Sequence, residues 1–157
     1  MHLAKIIRLD ASDTKVFERP AEIGEWAITG TFSFVDVNPT TWSNKYRFAF
    51  QTAWLGIGSF GHSTLVQTTE LSDSEYEILL QTLAGYLVAE YSAPSHNAAV
   101  DAAKQEIDDM ASLCNHPIGT LLAIERSING EDIAERTRII NLSNGIRKNQ
   151  FWTVSKD

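Results

Sequence analysis

Apolar and polar side chains alternate along residues 25–35, where Trp26, Ile28, Phe32 and Phe34 share one phase. Small side chains occupy the other phase. A period of two is typical of a half-buried β-strand. We therefore predict a strand over this segment, with its aromatic face against the core.

Three neighbouring segments also have the composition of strands. Residues 3–9 form a short apolar run, and residues 63–71 are rich in β-branched side chains. An Asn-Pro loop at residues 36–44 separates the first alternation from a second one over residues 46–54. We expect the aromatic residues of these strands to form a core beneath two helices. They are Trp26, Phe32, Phe34, Phe48, Phe50, Trp54 and Phe60.

Two helices are predicted in the middle of the chain. Ser72 and Glu75 have the spacing of a capping box, and the leucines after them recur every three or four residues. Pro94 interrupts this pattern and is predicted to be the first residue of a second helix, which runs to about Leu113. Gly85 lies inside the first helix, where we expect it to allow close approach of the alanine-rich second helix.

The C-terminal part returns to strand patterns. Asn129-Gly130 is a strong type I′ turn signal between two arms, at residues 121–128 and 131–140, so a hairpin is predicted there. A second Asn-Gly at residues 144–145 leads to Phe-Trp-Thr-Val at residues 151–154, which predicts a closing strand.

This order of segments predicts a single α+β domain over residues 1–157. Strands occupy about 3–71, the helix pair about 72–114 and the C-terminal hairpin region about 120–155. Strands that are grouped in sequence favour a mostly antiparallel sheet, with the central helix pair packed on one face.

Charge and composition exclude several classes of function. The chain has 13 Lys and Arg residues against 20 Asp and Glu residues, a formal net charge of −7. This balance argues against nucleic-acid binding, because neutralising phosphates requires clustered cations. No apolar run has the length of a membrane span or a signal peptide, and the lone Cys114 cannot form an internal disulfide. We expect a cytoplasmic protein that binds neither nucleic acid nor membrane.

Residues 56–61 match the G-x-G-x-x-G pattern of nucleotide-binding loops. No βαβ unit surrounds the match, so the glycines are better explained as room for aromatic side chains across a bent sheet. If the sheet curves, the same segment could line an apolar pocket for a small molecule. The residues of this candidate ligand-binding site are Trp54, Gly56, Gly58, Ser59 and His62.

Other reactive residues lack the context that their chemistry needs. Ser59 is not in the strand–turn–helix setting of a nucleophile elbow. Cys114 and His116 are close in sequence and His96 begins the same helix, but the histidines lack zinc-ligand spacing. Cys114 continues an apolar helix stripe, so we expect it in the core. We assign no catalytic residue, metal site or cofactor.

The charged residues of the predicted hairpin have the pattern of cross-strand ion pairs on an exposed sheet face. They are Glu125, Arg126, Glu131, Glu135, Arg136 and Arg138.

Nine acidic residues and one basic residue lie between Glu70 and Asp109. Such a surface favours association with a protein partner that has a basic surface. The partner-binding residues that we expect on the second helix are Asp101, Asp108 and Asp109. A sheet edge that must be covered also favours a homodimer. The leading hypothesis is a non-enzymatic binding protein that acts through protein–protein contacts. The alternative is a small-molecule-binding protein or enzyme with a pocket at residues 54–62.

Residues 5–13 (Lys-Ile-Ile-Arg-Leu-Asp-Ala-Ser-Asp) and 21–28 (Ala-Glu-Ile-Gly-Glu-Trp-Ala-Ile) resemble a small bacterial family of unknown function. The resemblance extends across the chain in length and in the order of features. It implies a cytosolic bacterial protein, but no activity and no catalytic residue.

Overall fold

The computed structural model of the chain describes residues 1–35, 37–141 and 153–156. Within these ranges the chain forms eight strands and four α-helices. In chain order they are β1 (His2–Ile6), α1 (Ser12–Val16), β2 (Trp26–Ile28), α2 (Asn44–Thr52), β3 (Trp54–Ile57), β4 (His62–Ser63), β5 (Val66–Glu70), α3 (Asp73–Tyr91), α4 (His96–Leu113), β6 (Leu121–Asn129), β7 (Asp132–Asn141) and β8 (Thr153–Lys156). Two short 3₁₀ helices, Thr31–Phe34 and Pro39–Thr41, precede α2.

The strands form one antiparallel sheet in the order β4-β3-β2-β1-β5-β6-β7-β8. The helix pair α3–α4 packs on β1, β2 and β3, whereas α2 packs against both β4 and β6. Strands β4 and β6 are far apart in the sheet order, so one short helix can contact both only because the sheet curls. The predicted α+β class, with an antiparallel sheet and a helix pair on one face, is confirmed. None of the helices in the described ranges combines the length and the apolar character that crossing a membrane requires.

The first long helix begins where its capping signal predicts. The Ser72 hydroxyl accepts the Glu75 N–H at 3.2 Å, and the Glu75 carboxylate accepts the Ser72 N–H at 3.0 Å. These reciprocal bonds satisfy two amides that the first helical turn leaves without partners.

The second long helix begins later than predicted. Its N-cap is Ser95, whose hydroxyl accepts the Ala98 N–H at 3.1 Å, so the helix starts at His96 and Pro94 lies outside it. A serine side chain satisfies a free amide, which a proline ring cannot do. The buried stripe is confirmed as Ala99, Ala103, Ile107, Met110 and Cys114.

The expected role of Gly85 is wrong. A Cβ at this position would meet nothing within 4 Å, and the residue is exposed on the outer side of α3. The small residues buried in the main core are instead Ala84, Ala99 and Ala103.

The strand predicted over residues 25–35 stops at Ile28. Gly30 has a φ of 73°, in the left-handed region, and the chain then turns into the 3₁₀ helix Thr31–Phe34. The strand predicted over residues 63–71 is also divided, into β4 and β5.

The second predicted alternation, over residues 46–54, is a helix for most of its length. The Ser43 hydroxyl accepts the Tyr46 N–H at 3.1 Å and caps α2. Tyr46, Ala49 and Phe50 recur at helical spacing and face the interior, whereas Phe48 is 36% exposed. The helical period prevails because this face covers the curled sheet.

The aromatic residues therefore form two cores. Trp54 belongs to the main core under α3 and α4. Phe34 and Phe50 belong to a second cluster beneath α2, together with Phe17. The expectation of one aromatic core beneath the helix pair is wrong, because α2 brings its own aromatic face.

The predicted hairpin is confirmed, with β6 and β7 in the register that pairs Arg126 with Glu135. Asn129 pairs with Asp132, so the loop residues are Gly130 and Glu131, rather than the predicted central pair Asn129-Gly130. The predicted turn at 144–145 and the first half of the predicted strand 151–154 lie outside the described residues. Strand β8 begins at Thr153 and pairs with β7.

Candidate functional site

The glycine-rich loop of residues 56–61 surrounds the side chain of Glu25. Oε1 of Glu25 accepts the Ser59 N–H, and Oε2 accepts the Ser59 hydroxyl at 2.7 Å. Oε2 also accepts the Glu22 N–H at 2.7 Å. The loop thus binds an anion, and this anion is the carboxylate of Glu25 in the same chain.

The loop glycines provide the room that this arrangement needs. A Cβ at Gly56 would lie 2.7 Å from Oε2 of Glu25, and a Cβ at Gly58 would lie 2.6 Å from Oε1. A Cβ at Gly61 would lie 2.5 Å from the carbonyl oxygen of Pro20. The spacing that resembles a nucleotide-binding loop is thus explained by contacts within the chain.

The predicted ligand-binding residues have different surroundings. Trp54 is fully buried in the main core. Glu25 occupies the space beside Gly56, Gly58 and Ser59. Only His62, among these five residues, lines the cavity described next.

A cavity of about 420 Å³ lies between α2 and the chain segment before β2. It is lined by Glu18, Arg19, Lys45, Tyr46, Ala49, Phe60 and His62. We name it the His62 cavity. Its lining combines two cations, one carboxylate and three aromatic rings, so it can contact both a charged group and an apolar one.

Backbone bonds hold His62 beside Arg19. The His62 N–H donates to the Arg19 carbonyl at 2.8 Å, and the His62 carbonyl accepts the Ala21 N–H at 2.8 Å. These bonds attach the segment around Pro20 to the short edge strand β4. Arg19 and His62, 43 positions apart in sequence, therefore line the same cavity.

The first turn of α2 supplies the opposite wall. Lys45 and Tyr46 follow the helix cap Ser43, whose hydroxyl donates to Glu18 at 3.4 Å. The Tyr46 hydroxyl donates to the Ser33 carbonyl at 3.3 Å, which fixes its ring. The helix N-terminus adds partial positive charge to this wall.

His62 is uncharged at neutral pH. Burial, together with the positive charges of Arg126 and Arg19, lowers the pKa of its imidazole to about 4. The ring packs against both Phe17 and Phe34, with centroid distances of 5.8 and 5.9 Å. The site therefore combines the positive charges of Arg19 and Lys45 with a neutral imidazole ring, which can donate or accept a hydrogen bond.

Phe60 has an unusual backbone conformation at the cavity wall. Its φ is 55°, in a region that a bulky side chain rarely adopts. Its ring stacks on Tyr86 of α3, with centroids 3.6 Å apart and planes within 3°. Strained residues of this kind are concentrated at ligand and active sites.

Arg126 is a buried cation behind the cavity. Its guanidinium donates to the carbonyls of Phe50 and Ala53, both at 2.9 Å, and to the Glu135 carboxylate at 2.9 Å. Arg126 therefore links strand β6 to the C-terminal end of α2, whose last carbonyls it satisfies. The sequence predicted cross-strand ion pairs among the hairpin charges on an exposed face. Arg126 does form such a pair, with Glu135, but its side chain is buried rather than exposed.

The remaining candidate residues lie elsewhere. Asp101, Asp108 and Asp109 are exposed on α4. His96 and Cys114 mark opposite ends of the same helix, about 27 Å apart at 1.5 Å per residue, so they do not meet. Among the described residues, no group of three or more His, Cys, Asp or Glu side chains could hold a metal ion.

Sequence reasoning did not identify Glu18, Arg19, Lys45 or Tyr46. The available signal was Ser43, a good N-cap before helical spacing, which would have placed Lys45 and Tyr46 in the first turn of a helix. No local signal connects Arg19 to His62, because the contact depends on how the sheet edge is covered.

The comparisons with known proteins add a family but no activity. A model described as a family of unknown function (DUF6505) matches residues 1–153. No curated protein and no solved structure matches the chain.

Proposed function

Since the chain belongs to this family of unknown function, we propose its function from the geometry of the site: it binds a small anionic molecule in the His62 cavity. The observation that carries the proposal is that two exposed cations, Arg19 and Lys45, line the same cavity as the neutral, partly buried imidazole of His62. This proposal develops the small-molecule alternative that the sequence suggested, with His62 retained from its predicted residues.

The local charge differs in sign from that of the whole chain. Arg19 and Lys45 exceed the single carboxylate of Glu18 at the cavity, whereas the chain has a net charge of −7. A cationic cleft in an acidic protein attracts anions and repels cations locally. An anion there would receive charge-assisted hydrogen bonds from Arg19 and Lys45.

The site favours binding over acid–base catalysis. A general base works best when its pKa is near the working pH. The pKa of His62, at about 4, makes the imidazole a weak base at neutral pH. A neutral imidazole N–H is nevertheless a good donor to a bound carboxylate or phosphate oxygen.

NMR titration with acetate, benzoate and phosphate tests this proposal. At least one anion should shift the resonances of the cavity residues saturably. Because two contacts from exposed cations are removed, each worth about 0.5–1 kcal/mol, the Arg19→Gln/Lys45→Gln variant should lose about tenfold in affinity. The control, Lys104→Gln on the exposed surface of α4, should bind as the wild type does. The absence of binding by all three anions, or equal losses in both variants, contradicts the proposal.

A second candidate function rests on the exposure of Asp101, Asp108 and Asp109 along α4. We propose that this acidic face binds a protein with a basic surface. Its test is the affinity for an identified partner. Asp101→Lys/Asp108→Lys should weaken binding, as should added salt, whereas the equally charged control Glu131→Lys/Asp132→Lys should not. Equal effects of both variants would contradict it.

We also propose a cytoplasmic location and a homodimer, as the sequence suggested. The exposed edge of a β-sheet favours pairing with a second copy. Light scattering during size-exclusion chromatography should give twice the chain mass, and the monomer mass would contradict the dimer. A fluorescent fusion of the full chain tests the location.

A further inference from the structure

Resting on the proposed anion site, we infer that the His62 cavity takes an aromatic monocarboxylate. The inference combines three features of the same cavity: its net charge, its aromatic walls and its volume. Each of these restricts the ligand in a different way.

The charges at the cavity favour a single negative charge on the ligand. Arg19 and Lys45 together with Glu18 leave one positive charge in excess. Arg126, which lies behind the Phe34 ring at 5.5 Å, is already paired with Glu135. A monocarboxylate would neutralise the excess, whereas a dianionic phosphate would exceed it and face the Glu18 carboxylate.

The walls favour a flat, aromatic body. Phe60, Tyr46 and His62 are the aromatic residues among those that line the cavity. Tyr86 of α3 covers one face of the Phe60 ring and holds the ring in place. The Tyr46 ring is fixed by its hydroxyl bond to Ser33. Rings that are held in place can stack on, or meet edge-on, the ring of a ligand.

The volume favours a ligand with one or two rings. Sites for small molecules typically measure about 300–1,000 Å³, and the His62 cavity has about 420 Å³. This is near the lower end of that range, so a single-ring acid fits the space better than a dinucleotide does.

Isothermal titration of the wild-type chain with benzoate, acetate and phenyl phosphate tests the inference. Benzoate should bind at least tenfold more tightly than acetate, because the ring adds aromatic contact and apolar burial. It should also bind more tightly than phenyl phosphate. If acetate binds as well as benzoate does, or phenyl phosphate binds better, the inference is overturned while the anion site stands. If none of the three binds, both proposals fail.

Two variants locate the ring contact. Phe60→Leu should reduce benzoate affinity about fivefold or more and leave acetate affinity unchanged. Tyr46→Phe loses the hydroxyl bond to Ser33 but keeps the ring, which Phe34 and Trp42 still hold in place. This variant should therefore keep the preference for benzoate over acetate. Equal losses for benzoate and acetate in Phe60→Leu would overturn the aromatic contact. If Phe60→Leu does not fold, the preference of the wild-type chain for benzoate over acetate still tests whether the cavity takes an aromatic carboxylate.

Discussion

Glu25 reaches Ser59 across 34 positions of sequence, and its Oε2 accepts the Ser59 hydroxyl at 2.7 Å. The carboxylate also accepts two backbone N–H groups, from Ser59 and Glu22. This contact attaches the segment around Glu25, just before β2, to the loop after β3. The loop thereby holds an internal anion where a nucleotide-binding loop would hold a phosphate.

Replacing Glu25 by Gln should lower the free energy of unfolding by about 1–3 kcal/mol, because hydrogen bonds to an ionised carboxylate are lost. Equilibrium urea unfolding measures the change. The control Glu22→Gln alters an exposed side chain nearby and should stay within about 0.5 kcal/mol of the wild type. Equal effects of the two substitutions would contradict the role assigned to Glu25.

The lowered pKa of His62 predicts a pH-dependent stability. In the folded chain the pKa is about 4, against an ordinary value of 6.5. Between these values the unfolded chain binds a proton that the folded chain does not, so the free energy of unfolding falls as the pH drops from about 6.5 to 4. The loss should reach at most about 3 kcal/mol.

The variant His62→Gln isolates this contribution. The stability of the wild type relative to His62→Gln should be constant above about pH 7 and should fall toward pH 4. Urea unfolding of both proteins across this range measures the difference. A difference that does not change with pH would mean that His62 has an ordinary pKa in the folded chain.

Arg126 should be far more important for stability than its neighbour Arg136. Arg126→Met leaves Glu135 without its cation and the carbonyls of Phe50 and Ala53 without a donor, which should cost about 3–5 kcal/mol. Arg136 pairs with Glu125 at the surface, with both side chains more than 40% exposed, so Arg136→Met should cost less than about 1 kcal/mol. If Arg126→Met and Arg136→Met lowered the free energy of unfolding by similar amounts, the role assigned to the buried hydrogen bonds of Arg126 would be contradicted. Thermal or urea unfolding measures both.

Two glycine substitutions should have opposite effects. Gly85→Ala should raise the free energy of unfolding by about 0.5–1 kcal/mol, because the added methyl meets nothing and alanine favours the helix. Gly61→Ala should lower it by about 1–3 kcal/mol, because the methyl would meet the backbone of Pro20 and Ala21. Stabilisation by both, or by neither, would contradict the packing described for α3 and for the edge strand.

The local signals in the sequence predicted the helix pair and the hairpin. Ser72 and Glu75 determine the start of α3 within one turn, and the stripe from Ala99 to Cys114 determines which face of α4 is buried. The hairpin was predictable from Asn129-Gly130, but its register was not. A two-residue turn at that pair would place Arg126 opposite Ile133, whereas the observed loop at Gly130 and Glu131 places it opposite Glu135.

The candidate site depends on contacts between distant parts of the chain. Residues 46–54 have apolar positions that fit both a strand and a helix. The N-cap Ser43 and packing against β4 and β6 together favour the helix. The Arg19–His62 and Glu25–Ser59 contacts have no local signal. The sequence therefore pointed to His62 but not to its partners.

The most direct test of the anion site is NMR of the ring nitrogens in ¹⁵N-histidine-labelled protein, titrated over pH with and without saturating benzoate. The signal of His62, identified by its loss in His62→Gln, should give a pKa of about 4 in the free protein. A bound anion stabilises the protonated ring, so benzoate should raise this pKa. An unchanged His62 titration, or a shift confined to His2, His96 and His116, would contradict the central claim.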